Sequence, residues 1–143
     1  MKRFLFTACI LALCVFAAGG CKKIVTVNEL PPVAQTFIST NFPGTNASYV
    51  IKECCEYEVT LSDGTQLEFN KKGEWRKVDM KNMPVPASVA ASLPTPAAAY
   101  LETSFPGVPV EKVEIEHRRY KVELLNGLEL EFNSKGICKE IDD

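Results

Sequence analysis

The sequence is short of the residues that most often carry catalysis and metal binding. It contains one histidine and one tryptophan in 143 residues. A single histidine leaves little material for histidine-dependent catalysis or for a histidine metal site. Basic residues are not in excess either, since the formal net charge is −2. The chain therefore lacks the positive footprint of a nucleic-acid-binding protein, and we expect no nucleic-acid partner.

Motifs for cofactors and metals are also missing from the sequence. It has no Cys-x-x-Cys pair, no glycine-rich phosphate loop and no EF-hand loop. The histidine, His117, lies beside Arg118 and Arg119 in a predicted turn, and no nucleophile is placed near it. We expect no enzyme activity, no catalytic residue, no cofactor and no metal.

The N-terminus predicts export. A positive start, Met1-Lys2-Arg3, precedes an apolar run from Phe4 to Ala18, which is typical of a secretory signal and short for a membrane-spanning helix. The run ends at Ala18-Gly19-Gly20-Cys21, which resembles the lipobox of bacterial lipoproteins. The resemblance implies removal of residues 1–20 and attachment of a lipid to Cys21. The alternative is a plain secretory signal that is cleaved nearby.

The residues after Cys21 indicate to which membrane the lipid is predicted to attach the protein. Lys22 and Lys23 follow it. By resemblance to Gram-negative lipoproteins, the absence of aspartate there implies the outer membrane, and the absence of an acidic run implies its periplasmic face. We therefore predict a membrane partner through the lipid on Cys21, and residues 21–29 are predicted to be a lipidated tether.

The rest of the chain contains an internal repeat. Residues 30–80 align with residues 93–143 without a gap, with 20 identities in 51 positions. Both copies contain Phe-Pro-Gly, Tyr-x-Val-x-Leu, Leu-Glu-Phe-Asn and Lys-Gly at the same spacing. Residues 81–92 between the copies are rich in proline and alanine, which predicts a linker with one helical turn.

Each copy predicts a short helix followed by an antiparallel meander of four strands. Leu30-Pro31-Pro32 and Leu93-Pro94 place proline at a helix start, where its missing N–H costs nothing. Residues of alternating polarity then follow, as in half-buried strands, with turn residues between them. The fold class is α+β, with two tandem repeats.

Alternation along the strands separates a core face from an exposed face of the sheet. The predicted core positions are Val50, Tyr57, Val59, Leu61, Leu67, Phe69, Val78, Val113, Tyr120, Val122, Leu124, Leu130, Phe132 and Ile141. In the first copy, the exposed positions include two aromatic residues and an isoleucine, and exposed apolar clusters mark contact surfaces. We predict that a protein partner binds this face; the candidate residues are Trp75, Tyr49, Ile51, Lys77 and Glu68. Trp75 is the favoured anchor, although it could instead pack over an edge of the sheet.

Three cysteines lie beyond the predicted lipid site. They are Cys54, Cys55 and Cys138. An odd number in an oxidising compartment leaves at least one free thiol or a bond to another chain. A disulfide from Cys138 to Cys54 or Cys55 is one option, and sequence alone does not decide it.

The repeated motifs resemble those of the PepSY-like proteins, also described as β-lactamase-inhibitor-protein-like. The resemblance covers residues 30–143 and implies a small envelope lipoprotein. It also implies helices packed on antiparallel sheet, with both copies sharing one extended curved sheet. In the inhibitor after which the fold is named, the concave face of the sheet grips an enzyme.

We therefore expect a non-catalytic envelope lipoprotein that binds an unknown envelope protein through its exposed sheet face and inhibits or regulates an enzyme. The alternative is a small-ligand, metal or redox role centred on Cys54, Cys55 and Cys138.

Overall fold

The structure is a computed structural model that describes residues 22–142. The predicted signal peptide, 1–20, and the predicted lipid site, Cys21, lie outside the described residues. The strands are β1 Lys23–Val25, β2 Ala47–Lys52, β3 Glu56–Leu61, β4 Gln66–Asn70, β5 Trp75–Asp79, β6 Val110–Glu116, β7 Arg119–Leu124, β8 Glu129–Phe132 and β9 Cys138–Asp142. The helices are α1 Pro32–Asn41, α2 Ala87–Ala90 and α3 Thr95–Ser104, and a 3-10 turn spans Val27–Glu29.

All nine strands form one antiparallel sheet in the order of the chain, from β1 to β9. The two halves of the chain join where β5 pairs with β6, with Val78 opposite Val113. The predicted α+β class and the single extended sheet are therefore confirmed.

The helices α1 and α3 pack on one face of this sheet. Both follow directly after a proline, Pro31 or Pro94, and run for ten residues. The end of each is capped by a phenylalanine, Phe42 or Phe105, whose N–H donates to the carbonyl four residues earlier. Each helix buries one side, which includes Ile38 in α1 and Leu101 in α3. A single buried side on each helix is expected when apolar residues recur with the 3.6-residue period of the helix.

The core lies between the helices and the strand residues of one parity. The fully buried strand side chains on this face include Val50, Val59, Leu61, Leu67, Phe69, Val78, Val113, Val122, Leu124, Leu130 and Phe132. The predicted core positions are therefore buried, with two departures. Tyr120 is only partly buried, and Ile141 is 46% exposed because β9 is the last strand of the sheet.

Part of the predicted tether is instead a strand. Lys23–Val25 pairs with β2, and Val25 is buried beside Val50. The 3-10 turn that follows begins with a capping box between Thr26 and Glu29. Since a strand of three residues has too little alternation to be recognised, the sequence pattern could not indicate it.

The segment between the halves is anchored as well. The N–H of Val85 donates to the carbonyl of Val110 at 2.8 Å, and that of Met80 to the carbonyl of Glu111 at 3.1 Å. Val85 and Val89 are buried. The helical turn predicted within 81–92 corresponds to α2.

Among residues 22–142, no helix has the length and apolar character needed to cross a lipid bilayer.

Candidate binding face

The helices leave the opposite face of the sheet uncovered, and we call this the open face. Two rows of side chains cross it, each made of residues that lie directly opposite one another on neighbouring strands. The first row contains Ile24, Ile51, Glu58, Glu68, Lys77, Glu114, Lys121, Glu131 and Glu140. The second contains Tyr49, Thr60, Gln66, Asp79, Lys112, Glu123, Glu129 and Asp142.

One corner of the open face is apolar. Ile24 on β1 lies opposite Ile51 on β2, and Tyr49 lies two residues from Ile51 on the same strand. The exposed fractions of Ile24 and Tyr49 are 78% and 50%. We call these three residues the apolar corner. Ile24 was not predicted, because it belongs to the short strand β1 that the sequence pattern did not reveal.

The middle of the open face alternates in charge. Glu68, Lys77, Glu114 and Lys121 follow one another across β4 to β7. The Nζ atom of Lys77 donates to Oε1 of Glu68 at 3.0 Å. A shallow depression of about 270 Å³ joins this pair to Tyr49 and Ile51. The structure thus places four of the five predicted contact residues on one surface.

The Lys77–Glu68 pair shifts the pKa of the lysine. Burial is the largest single influence and lowers the pKa of Lys77. The hydrogen bond to Glu68 and the negative charges of Glu68, Glu114 and Asp79 together outweigh it. The pKa of Lys77 therefore lies above its ordinary value, and the lysine is charged at neutral pH.

The far end of the open face is acidic. In three places there, two acidic residues lie directly opposite each other on neighbouring strands: Glu123 and Glu129, Glu129 and Asp142, and Glu131 and Glu140. Like charges in these positions destabilise a sheet. Lys112 lies 3.7 Å from Glu123 and Arg119 lies 2.9 Å from Glu131, so part of the charge is compensated.

Trp75 is not on the open face. Phe69 pairs with Trp75 while Glu68 pairs with Lys77, so Arg76 is an extra residue that forms a β-bulge. The extra residue reverses the alternation and turns Trp75 to the helix side. Its ring stacks on Phe37 of α1, with centroids 6.0 Å apart and planes at 25°. The prediction that Trp75 shares a face with Tyr49 is therefore wrong.

The three cysteines are free and do not form one site. Cys54 and Cys55 are exposed in the turn between β2 and β3, whereas Cys138 begins β9 and is half-buried. Six strand spacings of ~4.8 Å separate β3 from β9. A disulfide needs Cα atoms within ~7 Å, so neither turn cysteine can reach Cys138.

The single histidine of the sequence lies in an exposed turn, as predicted. His117 is in the turn between β6 and β7, where its side chain is 90% exposed. Within residues 22–142, no three histidine, cysteine, aspartate or glutamate side chains are grouped so that they could hold a metal ion.

This architecture matches a known family. The family model described, provisionally, as beta-lactamase-inhibitor-like and PepSY-like matches residues 20–62 and 55–140. The chain belongs to the PepSY-like family. No curated protein matches this PepSY-like chain.

Three crystal structures of Bacteroides proteins resemble the PepSY-like chain over 85% of its length. A protein of the DUF2874 family from Bacteroides vulgatus, described provisionally as periplasmic, is 35% identical, with a TM-score of 0.78 and 97% of that protein covered. A protein of unknown function from the same species, also described provisionally as periplasmic, is 33% identical, with a TM-score of 0.77 and 99% covered. A protein from Bacteroides thetaiotaomicron, described provisionally as calcium-regulated and periplasmic, is 32% identical, with a TM-score of 0.76 and 97% covered.

Proposed function

We propose that this PepSY-like chain is a non-catalytic, lipid-anchored periplasmic protein that binds another envelope protein through its open face and thereby inhibits or regulates an enzyme. The observation that carries this proposal is the apolar corner, Ile24, Tyr49 and Ile51, on a sheet face that no helix of residues 22–142 covers. The inhibitor-like description of the family and the periplasmic descriptions of the similar structures support it.

The apolar corner has the composition of an interface anchor. A tyrosine and two isoleucines lie within two neighbouring strands, and two of the three side chains are at least half exposed. Tyrosine is enriched among residues that dominate binding energy, and such residues cluster where water is excluded. The depression beside Tyr49 and Ile51 provides a concave surface against which a partner side chain can pack.

The acidic end defines the charge of the partner. The cross-strand pairs of Glu129 with Asp142 and of Glu131 with Glu140 concentrate negative charge at the edge of the open face. A partner with a basic surface there would be attracted from a distance, and the effect on association rate would exceed the effect on affinity. Binding is therefore expected to become slower as salt increases.

We also propose that residues 30–80 and 93–143 are two copies of one structural unit. The helix and four strands of the first half have counterparts in the same order in the second half. The β-bulge after Glu68 recurs after Glu131. Gly73 and Gly136 make the same close approach to the first turns of α1 and α3.

The test is capture of envelope proteins by the full-length protein, with Ile24→Ala/Tyr49→Ala as the disabled variant. Ile137→Ala is the matched control, because Ile137 is 54% exposed but lies in the turn between β8 and β9 rather than on the open face. We expect a partner that the control retains and the double variant loses. Equal capture by all three proteins would refute the apolar corner as the anchor.

A further inference from the structure

The meander brings four turns to one end of the sheet. They connect β2 to β3, β4 to β5, β6 to β7 and β8 to β9. Lys22 lies at this end too, because Lys23 pairs with Lys52 at the end of β2 and Nζ of Lys22 lies 2.5 Å from Oε1 of Glu53. We call this the turn end; it comprises residues 22–23, 52–56, 70–75, 116–119 and 133–138.

Charge is divided unevenly between the turn end and the rest of the molecule. The turn end holds eight lysines and arginines and four acidic residues, whereas the remainder of residues 22–143 holds six basic and fourteen acidic residues. A chain whose net charge is negative thus presents a positive surface at one end. Fields of this kind attract surfaces of the opposite charge.

Five of the eight basic side chains of the turn end form no ion pair with another residue of 22–142, and three do. Lys71, Lys72, Arg118 and Lys135 are exposed, and none of them has an acidic side chain within ion-pair distance among residues 22–142. By contrast, five of the six lysines and arginines elsewhere are paired with an acidic residue: Arg76, Lys77, Lys81, Lys112 and Lys121.

One of the four turns holds an arginine in an unfavourable backbone conformation. His117 and Arg118 have φ angles of 46° and 65°, a left-handed region that residues other than glycine, asparagine, aspartate and histidine rarely adopt. The turn thus keeps Arg118 at its tip, where glycine or asparagine would fit the backbone better. Such strain is characteristic of functional positions.

We propose that the turn end docks on an anionic membrane surface, directly beneath the lipid on Cys21. The inference rests on the lipid attachment proposed above and not on partner binding. Lys22 is the first described residue, so the attachment point at Cys21 is one residue away from the basic surface. Docking in this way stands the strands upright on the membrane, and the open face then looks sideways into the compartment.

Each lysine or arginine near an anionic surface strengthens binding roughly five-fold, and the effect falls off within a Debye length of ~10 Å at 0.1 M salt. Removing two such charges is therefore expected to weaken docking about 30-fold. In 1 M salt, where the Debye length is ~3 Å, docking is expected to disappear while the lipid still holds the protein on the vesicle.

The exposed turn cysteine Cys54 provides a native position for a probe at the turn end. We would attach a fluorescent dye to Cys54 in Cys55→Ser/Cys138→Ser protein and reconstitute the full, processed protein into phosphatidylcholine vesicles that carry a headgroup quencher. Adding phosphatidylglycerol is expected to increase quenching at Cys54. A dye at Asn126→Cys, in the turn at the opposite end, is expected to remain unquenched. Equal quenching with and without phosphatidylglycerol, or quenching at both ends, would overturn the proposal.

A matched pair of variants separates local charge from net charge. Lys71→Gln/Lys72→Gln removes two positive charges from the turn end, and Asn46→Asp/Asn126→Asp adds two negative charges at the opposite end. Only the first is expected to lose quenching. Equal loss in both would refute a local docking surface.

Two further measurements keep the proposals apart. If the mass of the protein shows no acyl chain, the lipid attachment is wrong, and vesicle sedimentation of the same protein still tests the basic surface. Preference for an acidic protein or nucleic acid over phosphatidylglycerol vesicles would reject the membrane as the partner. Capture of an envelope protein is measured separately, so its failure leaves this inference standing.

Discussion

Replacing Trp75 by alanine should lower the stability of the protein without weakening partner capture. The indole is mostly buried and stacks on the ring of Phe37 in α1. The ring of Phe37 in turn makes an edge-to-face contact with the ring of Phe69 in the sheet, with the ring centroids 5.7 Å apart. Replacing a fully buried tryptophan by alanine lowers the free energy of unfolding by ~3–5 kcal/mol, and the loss is smaller for a partly exposed tryptophan. Removing about 100–130 Å² of buried apolar surface at 25 cal/mol per Å² costs about 3 kcal/mol.

A loss of about 3 kcal/mol corresponds to a decrease in Tm of roughly 10 °C for a chain of this length. Urea unfolding followed by circular dichroism measures the loss in every variant, including those that have no tryptophan. Trp75→Phe should recover more than half of the stability, since a phenyl ring can still contact Phe37. Tyr49→Ala, at an exposed position, should change the free energy of unfolding by less than ~1 kcal/mol.

The reasoning about Trp75 has a clear opposite outcome. If Trp75→Ala unfolds at the wild-type urea concentration and no longer captures a partner, the ring is an interface anchor. The β-bulge at Arg76 would then not determine its role.

Three further predictions concern the glycines, the central ion pair and the thiols. Gly136→Ala should destabilise the protein by more than ~2 kcal/mol in urea unfolding, because the new Cβ would lie 2.8 Å from the backbone nitrogen of Ala97. Gly127→Ala should cost only about 1 kcal/mol, because Gly127 has a φ of 89° but no atom within 4 Å of the new Cβ. Equal losses of stability in the two variants would reject the steric argument. The raised pKa of Lys77 means that its pairing stabilises the folded state below the lysine pKa of the unfolded chain and is lost as pH rises through the folded pKa. Glu68→Gln should therefore cost up to ~1 kcal/mol at neutral pH and progressively less above pH ~10.4, and a cost independent of pH would contradict this. A thiol reagent should modify Cys138 more slowly than the two cysteines of the exposed turn between β2 and β3, since Cys138 is partly buried; three equal rates would contradict its position.

The strands and helices of the PepSY-like chain are largely readable from local patterns. Prolines mark where α1 and α3 begin. Alternation in Tyr57–Leu61 and its counterpart Tyr120–Leu124 predicts strands whose inward side chains pack under the helices. These features depend on neighbouring residues only, so sequence spacing contains the information.

The features that sequence spacing missed depend on pairing between strands. The bulge at Arg76 is defined by which residue of β4 lies opposite Trp75, and no local pattern in Glu74–Lys77 reveals it. Strand β1 exists because Val25 finds a place beside Val50, 25 residues later in the chain. For the same reason Ile24, the most exposed apolar residue of the open face, could not be assigned to it in advance.

The order of the strands also has a consequence for folding. Every strand pairs only with the strand before it and the strand after it in the chain, so strand pairing requires few long loops to close. Low contact order of this kind favours rapid folding for a protein so rich in β-structure. It also allows the sheet to open one strand at a time from its two edges, as repeat proteins do. β9, whose Ile141 is 46% exposed, is the strand that can separate while the rest of the sheet stays folded.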